Sequence, residues 1–283
     1  MKSSKNKPEI VNSSTAVLHE GIWFWLFMLI GASLRLYGLD SQSLWSDEGI
    51  QYVISSADSL WGVLERRHDH TFHPPLSFLI NHLFLQIHDS DFFLRLPSAL
   101  FGIGSLPLIY LLARKILSRS AALCALFAMA ISPFRIWYSQ EARMYAPLLF
   151  ASLLCTLFLL QFVKQNKSIW WLLYVCGTVF GLFLHVFMVM NLIVHGFWIL
   201  LSHRRSLIPL IASGIMAAII AFPVTLEWTE RFQRQGSKTD VLLEDAPNGG
   251  PARTKQRIKV GWEGMPYVFH TRIGIINACF PPC

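Results

Sequence analysis

The sequence predicts an all-α fold, a polytopic membrane bundle of about seven transmembrane helices. Three observations predict it. First, 53% of the 283 residues are hydrophobic and only 14% are charged, whereas a soluble domain carries about 25% charged residues. Second, the charge deficit runs along the chain and does not mark one end. That excludes a soluble domain with a single anchor, and a cleaved signal peptide as the source of the apolar content. Third, the basic residues stand mostly in short clusters between apolar runs, the pattern of cytoplasmic loops under the positive-inside rule. The formal net charge of +7 therefore reads as topology, with no nucleic-acid partner.

Residues 1–21 are polar, carry Lys2, Lys5 and Lys7, and read as a cytoplasmic tail. The first apolar run, Ile22 to Leu39, is long enough to cross about 30 Å of hydrocarbon. Trp23 and Trp25 suit the inner interface and Tyr37 the outer one, with Arg35 close enough to the outer end to snorkel. Residues 40–95 are mixed and acidic, too long for a turn, and read as a structured external loop. Within that loop, Pro75 to Ile87 is apolar but short, and it contains Asn81, His82 and Gln86. It suits an amphipathic helix lying in the interface.

Charge parity supports that choice. The next runs are Leu96 to Ala113, Ala121 to Trp137, Ala146 to Val163, Ile169 to Leu201 and Leu207 to Val224. If residues 75–87 lie flat, the basic clusters at Arg114, Lys164 and Arg204 all fall on the cytoplasmic side. The run from Ile169 to Leu201 would be roughly 50 Å long as one helix, so it is read as two helices turning near His185. The membrane domain then covers residues 22–226, and residues 227–283 form an external loop and an atypical tail. Cys124, Cys155 and Cys176 lie in apolar runs and are expected as small buried hydrophobes. With Cys279 and Cys283 in the tail, nothing suggests a disulfide framework or a zinc site.

The candidates for chemistry collect on external segments. Asp47-Glu48 in "SLWSDEG" has two readings. The stretch caps an interfacial helix, or it places a carboxylate at the membrane surface as a general base. Glu141 in "WYSQEARMYA", with Arg143 and Tyr145, is either a helix-end ion pair or a second carboxylate of acid–base work. Arg143 has the planar shape that matches phosphate oxygens. In "HDHTFHPPL" the histidines His68, His70 and His73 invite a metal, but no carboxylate stands at zinc-site spacing. His73 is better placed near a phosphate or an acceptor. Arg95 either snorkels or binds a lipid phosphate. His185 is either structural or part of the same external face. A transporter or flippase is the competing class, and it would place such groups near the midplane.

The ordered set "LWSDEG", "HPPL", "LRLPSALFG", "SPFRIWYSQEARMYA" and "GLFLHVF" resembles the bacterial glycosyltransferase family of protein O-mannosyltransferases and aminoarabinose transferases, of the GT-C class. The resemblance runs from about residue 22 to 230. It implies a GT-C core with interfacial helices in the first external loop. It makes Asp47 catalytic and aligns Glu141 with the acidic residue of the second external loop. Glu48, His73, Arg95, Arg143, Tyr145 and His185 are then expected to bind substrate. The resemblance implies a polyprenyl-phosphate-linked sugar as donor, membrane lipids around it, and a glycan, lipid or protein as acceptor. It implies no required cofactor, while admitting a divalent cation. The expected location is the bacterial inner membrane, with the N-terminus cytoplasmic and the site on the periplasmic face. Relatives of this kind usually continue beyond seven spans, so a truncated and inactive homologue is the alternative expectation.

Overall fold

The computed structural model describes residues 9–71 and 73–203, together with 209, 211–216, 219 and 222. Every regular element among them is an α-helix. The first helix, α1 (Glu9–Leu36), begins well before the apolar run, within the expected tail. The segment expected as the first external loop folds into three short helices, α2 (Ser46–Ser55), α3 (Leu60–His70) and α4 (Leu76–Leu85). Then come α5 (Asp91–Ile116), α6 (Arg119–Ile131), α7 (Pro133–Ser139), α8 (Tyr145–Gln165), α9 (Ser168–Leu184) and α10 (Met188–Ser202).

Local sequence accounts for most boundaries. Ser59, Ser90 and Ser118 each precede a helix and accept a backbone N–H of its first turn, at 3.1, 3.4 and 3.3 Å. Pro133 stops α6, because it has no N–H to continue the ladder, and α7 leaves at 57°. Asn166 ends α8 in the left-handed region with φ 51°, which asparagine tolerates better than most residues. At α2 the expected cap is absent. The N-cap residue is Trp45, without a side-chain cap, and Asp47 and Glu48 lie inside the first turn.

By length and composition α5 and α8 can each cross a membrane, and α6 with α7 counts as a third, bent span. α9 and α10 are shorter apolar helices that divide the long run at His185, as expected. The seventh expected span, Leu207 to Val224, lies largely outside the described residues, as does everything after it. α5 is central and packs against α1, α4, α6, α7 and α8. Leu106, Leu126 and Ala130 form the core where α1, α5 and α6 meet. The approach there is close, since a Cβ on Gly31 would lie 2.6 Å from Leu106 Cδ1. A second core gathers Cys155, Leu159, Tyr174, Leu182, Met188 and Ile199 between α8, α9 and α10. His195 adds polar ties across it, 3.2 Å from the Tyr174 hydroxyl and 3.0 Å from Thr156 Oγ1.

Two expectations are corrected by this packing. Cys155 is buried, but Cys124 and Cys176 are exposed on the outer surface of the bundle. Arg35 does not snorkel. It is wholly buried, and its guanidinium is turned toward α6.

Candidate functional site

Asp47 and Glu48 are neighbours in α2, so their side chains diverge by about 100° around the helix. Glu48 points inward and is buried; Asp47 points outward, with its side chain 39% exposed. This divergence gives the two carboxylates different partners.

Glu48 meets Arg95 from α5 in a two-point ion pair. Arg95 Nε and Nη2 donate to it at 2.8 and 2.6 Å. The backbone N–H of Ala142 donates to Glu48 Oε1 at 2.8 Å. Arg95 also donates to the carbonyls of Leu39, Gln42 and Ser43. Its five donors all end on protein oxygens, and both side chains are only 2% exposed. The structure thus places Glu48 and Arg95 in a buried tie that holds the 39–43 segment and the 141–143 segment around the start of α2. No Arg95 donor is directed at a lipid.

Asp47 instead faces Arg143, with Oδ2 3.5 Å from Nη2. Arg143 is 6% exposed and its Nε has no hydrogen-bond partner within the protein. Its backbone is fixed by Ser98 Oγ, which donates to the Arg143 carbonyl at 3.0 Å. Its guanidinium carbon lies 5.9 Å from the Tyr145 ring centre. The Tyr145 ring stands 6.4 Å from that of His185, and His185 stands 5.7 Å from His73. Segments around α2, α4, α7, α8 and the α9–α10 turn therefore deliver Asp47, Arg143, Tyr145, His185 and His73 to one end of the bundle. Glu141 lies at the edge of this group. It is buried and accepts a hydrogen bond from Trp137 Nε1 one turn earlier.

Electrostatics follow from this geometry. The His73 pKa is pushed down to about 4, mostly by burial, then by the charge of Arg143, with a smaller effect from His185. Burial and Arg143 also lower the His185 pKa. Both rings are therefore neutral at pH 7. The Phe187 N–H donates to His185 Nδ1 at 3.0 Å, so the neutral ring carries its proton on Nε2. The arrangement presents a partly exposed carboxylate, a guanidinium with a donor to spare, and two neutral imidazoles. Among the described residues, no group of three His, Cys, Asp or Glu side chains stands close enough to hold a metal ion.

Sequence reasoning missed several supporting residues. Tyr138 packs on Tyr145 at 4.9 Å between ring centres. Ser98 and Gln140 each bond to backbone far away in the chain. Gln51, one turn beyond Asp47, is fully buried, and its spacing on α2 was the one available signal for it.

Comparison with known proteins gives two relatives in Bacillus subtilis (strain 168). The chain is 26% identical over 185 residues to the protein named "Putative mannosyltransferase YycA", covering 64% of this chain and 26% of that one. It is 30% identical over 136 residues to "Putative mannosyltransferase YkcB", covering 47% of this chain and 19% of that one. The chain thus spans about a quarter and a fifth of the length of these curated relatives. No solved structure matches it. The model of the family described as dolichyl-phosphate-mannose-protein mannosyltransferase matches residues 72–228, which is more than half of the chain and takes in His73, Arg95, Glu141, Arg143, Tyr145 and His185. The chain belongs to that family.

Proposed function

We propose that this chain carries the transfer site of a membrane glycosyltransferase, which moves a sugar from a polyprenyl-phosphate donor to an acceptor hydroxyl or amine at the outer face. The observation that supports it best is the Asp47–Arg143 pair. A carboxylate open enough to meet an acceptor stands beside a buried guanidinium that has a donor unused.

In this reading the Asp47 carboxylate takes the acceptor's proton as the acceptor oxygen or nitrogen attacks the anomeric carbon. The bond from that carbon to the phosphate oxygen breaks, and the polyprenyl phosphate leaves with the electron pair. Arg143 neutralises the charge that grows on the leaving oxygen. His73 and His185, being neutral, donate N–H groups to the phosphate without competing for the Asp47 proton. Glu141 orients the acceptor from the edge of the site, and Tyr145 stacks below the guanidinium. Glu48 and Arg95 hold the two segments in place and leave the contact with substrate to Asp47 and Arg143. Attack from the side opposite the phosphate inverts the anomeric centre.

The test uses membranes containing the full chain and a panel of polyprenyl-phosphate sugars. Wild type is expected to consume at least one of them. Asp47→Asn is expected to lower that rate by about 100-fold or more, with the protein level unchanged. Full transfer by Asp47→Asn would overturn the assignment.

A further inference from the structure

Two buried side chains outside the reacting groups fasten helix ends to one another. Pro133 has no N–H, so the carbonyl four residues earlier, Met129, has no amide to receive from within its helix. Arg35 of α1 supplies the missing donors. Its Nη2 donates to the Met129 carbonyl at 3.0 Å, and its Nη1 to the Ala130 carbonyl at 3.1 Å. The C-terminal end of α1 has the same need, and it is met from the other direction. Gln140, just past α7, donates from Nε2 to the carbonyls of Leu34 and Tyr37 at 3.0 and 2.8 Å. Gln140 is 8% exposed and Arg35 wholly buried. Each element thus closes the open end of the other.

We infer that Arg35 and Gln140 are positioning residues, a reciprocal pair of caps that sets where Asp47 stands relative to Arg143. The covalent path makes the link. The end of α1 leads through the 39–43 segment, which Arg95 grips, into the first turn of α2 and Asp47. The break after α6 leads through α7 and Gln140 into Glu141, Ala142 and Arg143. The two paths meet again at the Asp47–Arg143 pair and at the Ala142 N–H on Glu48. A break in the α6–α7 span is stable only where another group satisfies its carbonyls. Here that group belongs to α1, whose end leads through the 39–43 segment into α2 and Asp47. Loosening either cap frees α7 to move against α2, and the effect falls on the geometry of transfer more than on binding of the lipid chain. The catalytic consequence rests on the proposed reaction, whereas the positional one does not.

The experiment measures position and turnover separately. Spin labels go on cysteines at Ile50 of α2 and Phe134 of α7, both exposed, in the full chain with its five native cysteines replaced by alanine. The parent is expected to give one narrow distance distribution. Gln140→Leu and Arg35→Met are expected to shift or broaden it while helix content by circular dichroism stays the same. Arg35→Lys and Gln140→Asn, which keep a donor, are expected to fall between. In transfer assays without labels, Gln140→Leu is expected to lower kcat by about ten- to a hundredfold, with KM for the lipid donor within about twofold. An unchanged distribution in both Gln140→Leu and Arg35→Met overturns the inference. So does general loss of helix in the two conservative variants, which would mark these residues as ordinary packing. If the wild type transfers no sugar at all, the proposed reaction fails, and the distance measurement still decides the inference.

Discussion

Arg143 carries the charge around which this end of the bundle is arranged, and two histidines report on it. His73 stays neutral in the folded protein down to a pH of about 4, and His185 is also held below the ordinary histidine value. Burial is the larger cause for both, and the Arg143 charge comes next. Replacing Arg143 with glutamine removes the repulsion but leaves the burial. The midpoints of both rings are then expected to rise, with His73 still below 6.5, as followed by NMR of labelled histidine. Midpoints that do not move would mean that Arg143 does not face these rings. The same shift has a consequence for stability. An unfolded histidine takes up its proton near 6.5, well before His73 does so in the native state. The stability that the neutral ring contributes is complete above pH 6.5 and is lost as the pH falls from 6.5 toward 4.

At the scale of the element, α2 shows how one short helix divides its labour. Its inner face carries Glu48, Gln51 and Ser55, all buried. Glu48 is tied to Arg95 and Ala142. Ser55 donates to the Phe78 carbonyl at 3.1 Å, and its own carbonyl lies 2.9 Å from His82 Nδ1. Gln51 differs, because neither of its amide atoms has a partner within the protein. A buried polar group without partners costs about 1–3 kcal/mol, and an apolar group of the same shape removes that cost. Gln51→Met is therefore expected to raise stability by about 1 kcal/mol, read as a higher midpoint of thermal unfolding in detergent. A lower midpoint would show that the amide is satisfied in the folded protein. What was legible in the sequence follows the same division. The turn at His185 and the short α4 depend on local signals, and the sequence showed them; the run from Ala121 to Trp137 was read as one span, and the structure bends it at Pro133. Asp47, Arg143, Tyr145, His73 and His185 were named from their segments, and the fold brings them together. The roles of Arg95 and Arg35 were not legible. A lone arginine near a helix end reads as snorkelling until its acceptors are known, and those of Arg95 lie more than fifty residues away at Leu39 and Gln42.

At the scale of the whole molecule, the decisive question is which side of the membrane each loop occupies, and α4 is the element on which it turns. α4 has ten residues, so it is about 15 Å long and covers half of the hydrocarbon thickness of about 30 Å. Its buried face, which includes Phe78, Asn81, His82 and Leu85, packs against α2, α3, α5 and α9. If it lies along the interface, the loops before and after it share one side. The α5–α6 and α8–α9 connections, with Arg114, Lys115, Arg119, Lys164 and Lys167, then share the other. If it crosses, the loops flanking it fall on opposite sides and the Arg114 cluster moves outside, against the positive-inside rule. Single cysteines at Asp58, His88 and Asn166 in a cysteine-free background separate the two cases. All three residues lie in the loops between helices, outside any regular element. In right-side-out membranes, a membrane-impermeant maleimide is expected to label Asp58→Cys and His88→Cys at once, and Asn166→Cys only after permeabilisation. Labelling of Asp58→Cys and His88→Cys from opposite sides would make α4 a crossing. It would also move the Asp47 and Arg143 segments to different faces of the membrane, which their 3.5 Å contact does not permit. The contact and the charge pattern thus require the same topology for independent reasons, one from the distance between two side chains and the other from the distribution of basic residues along the chain.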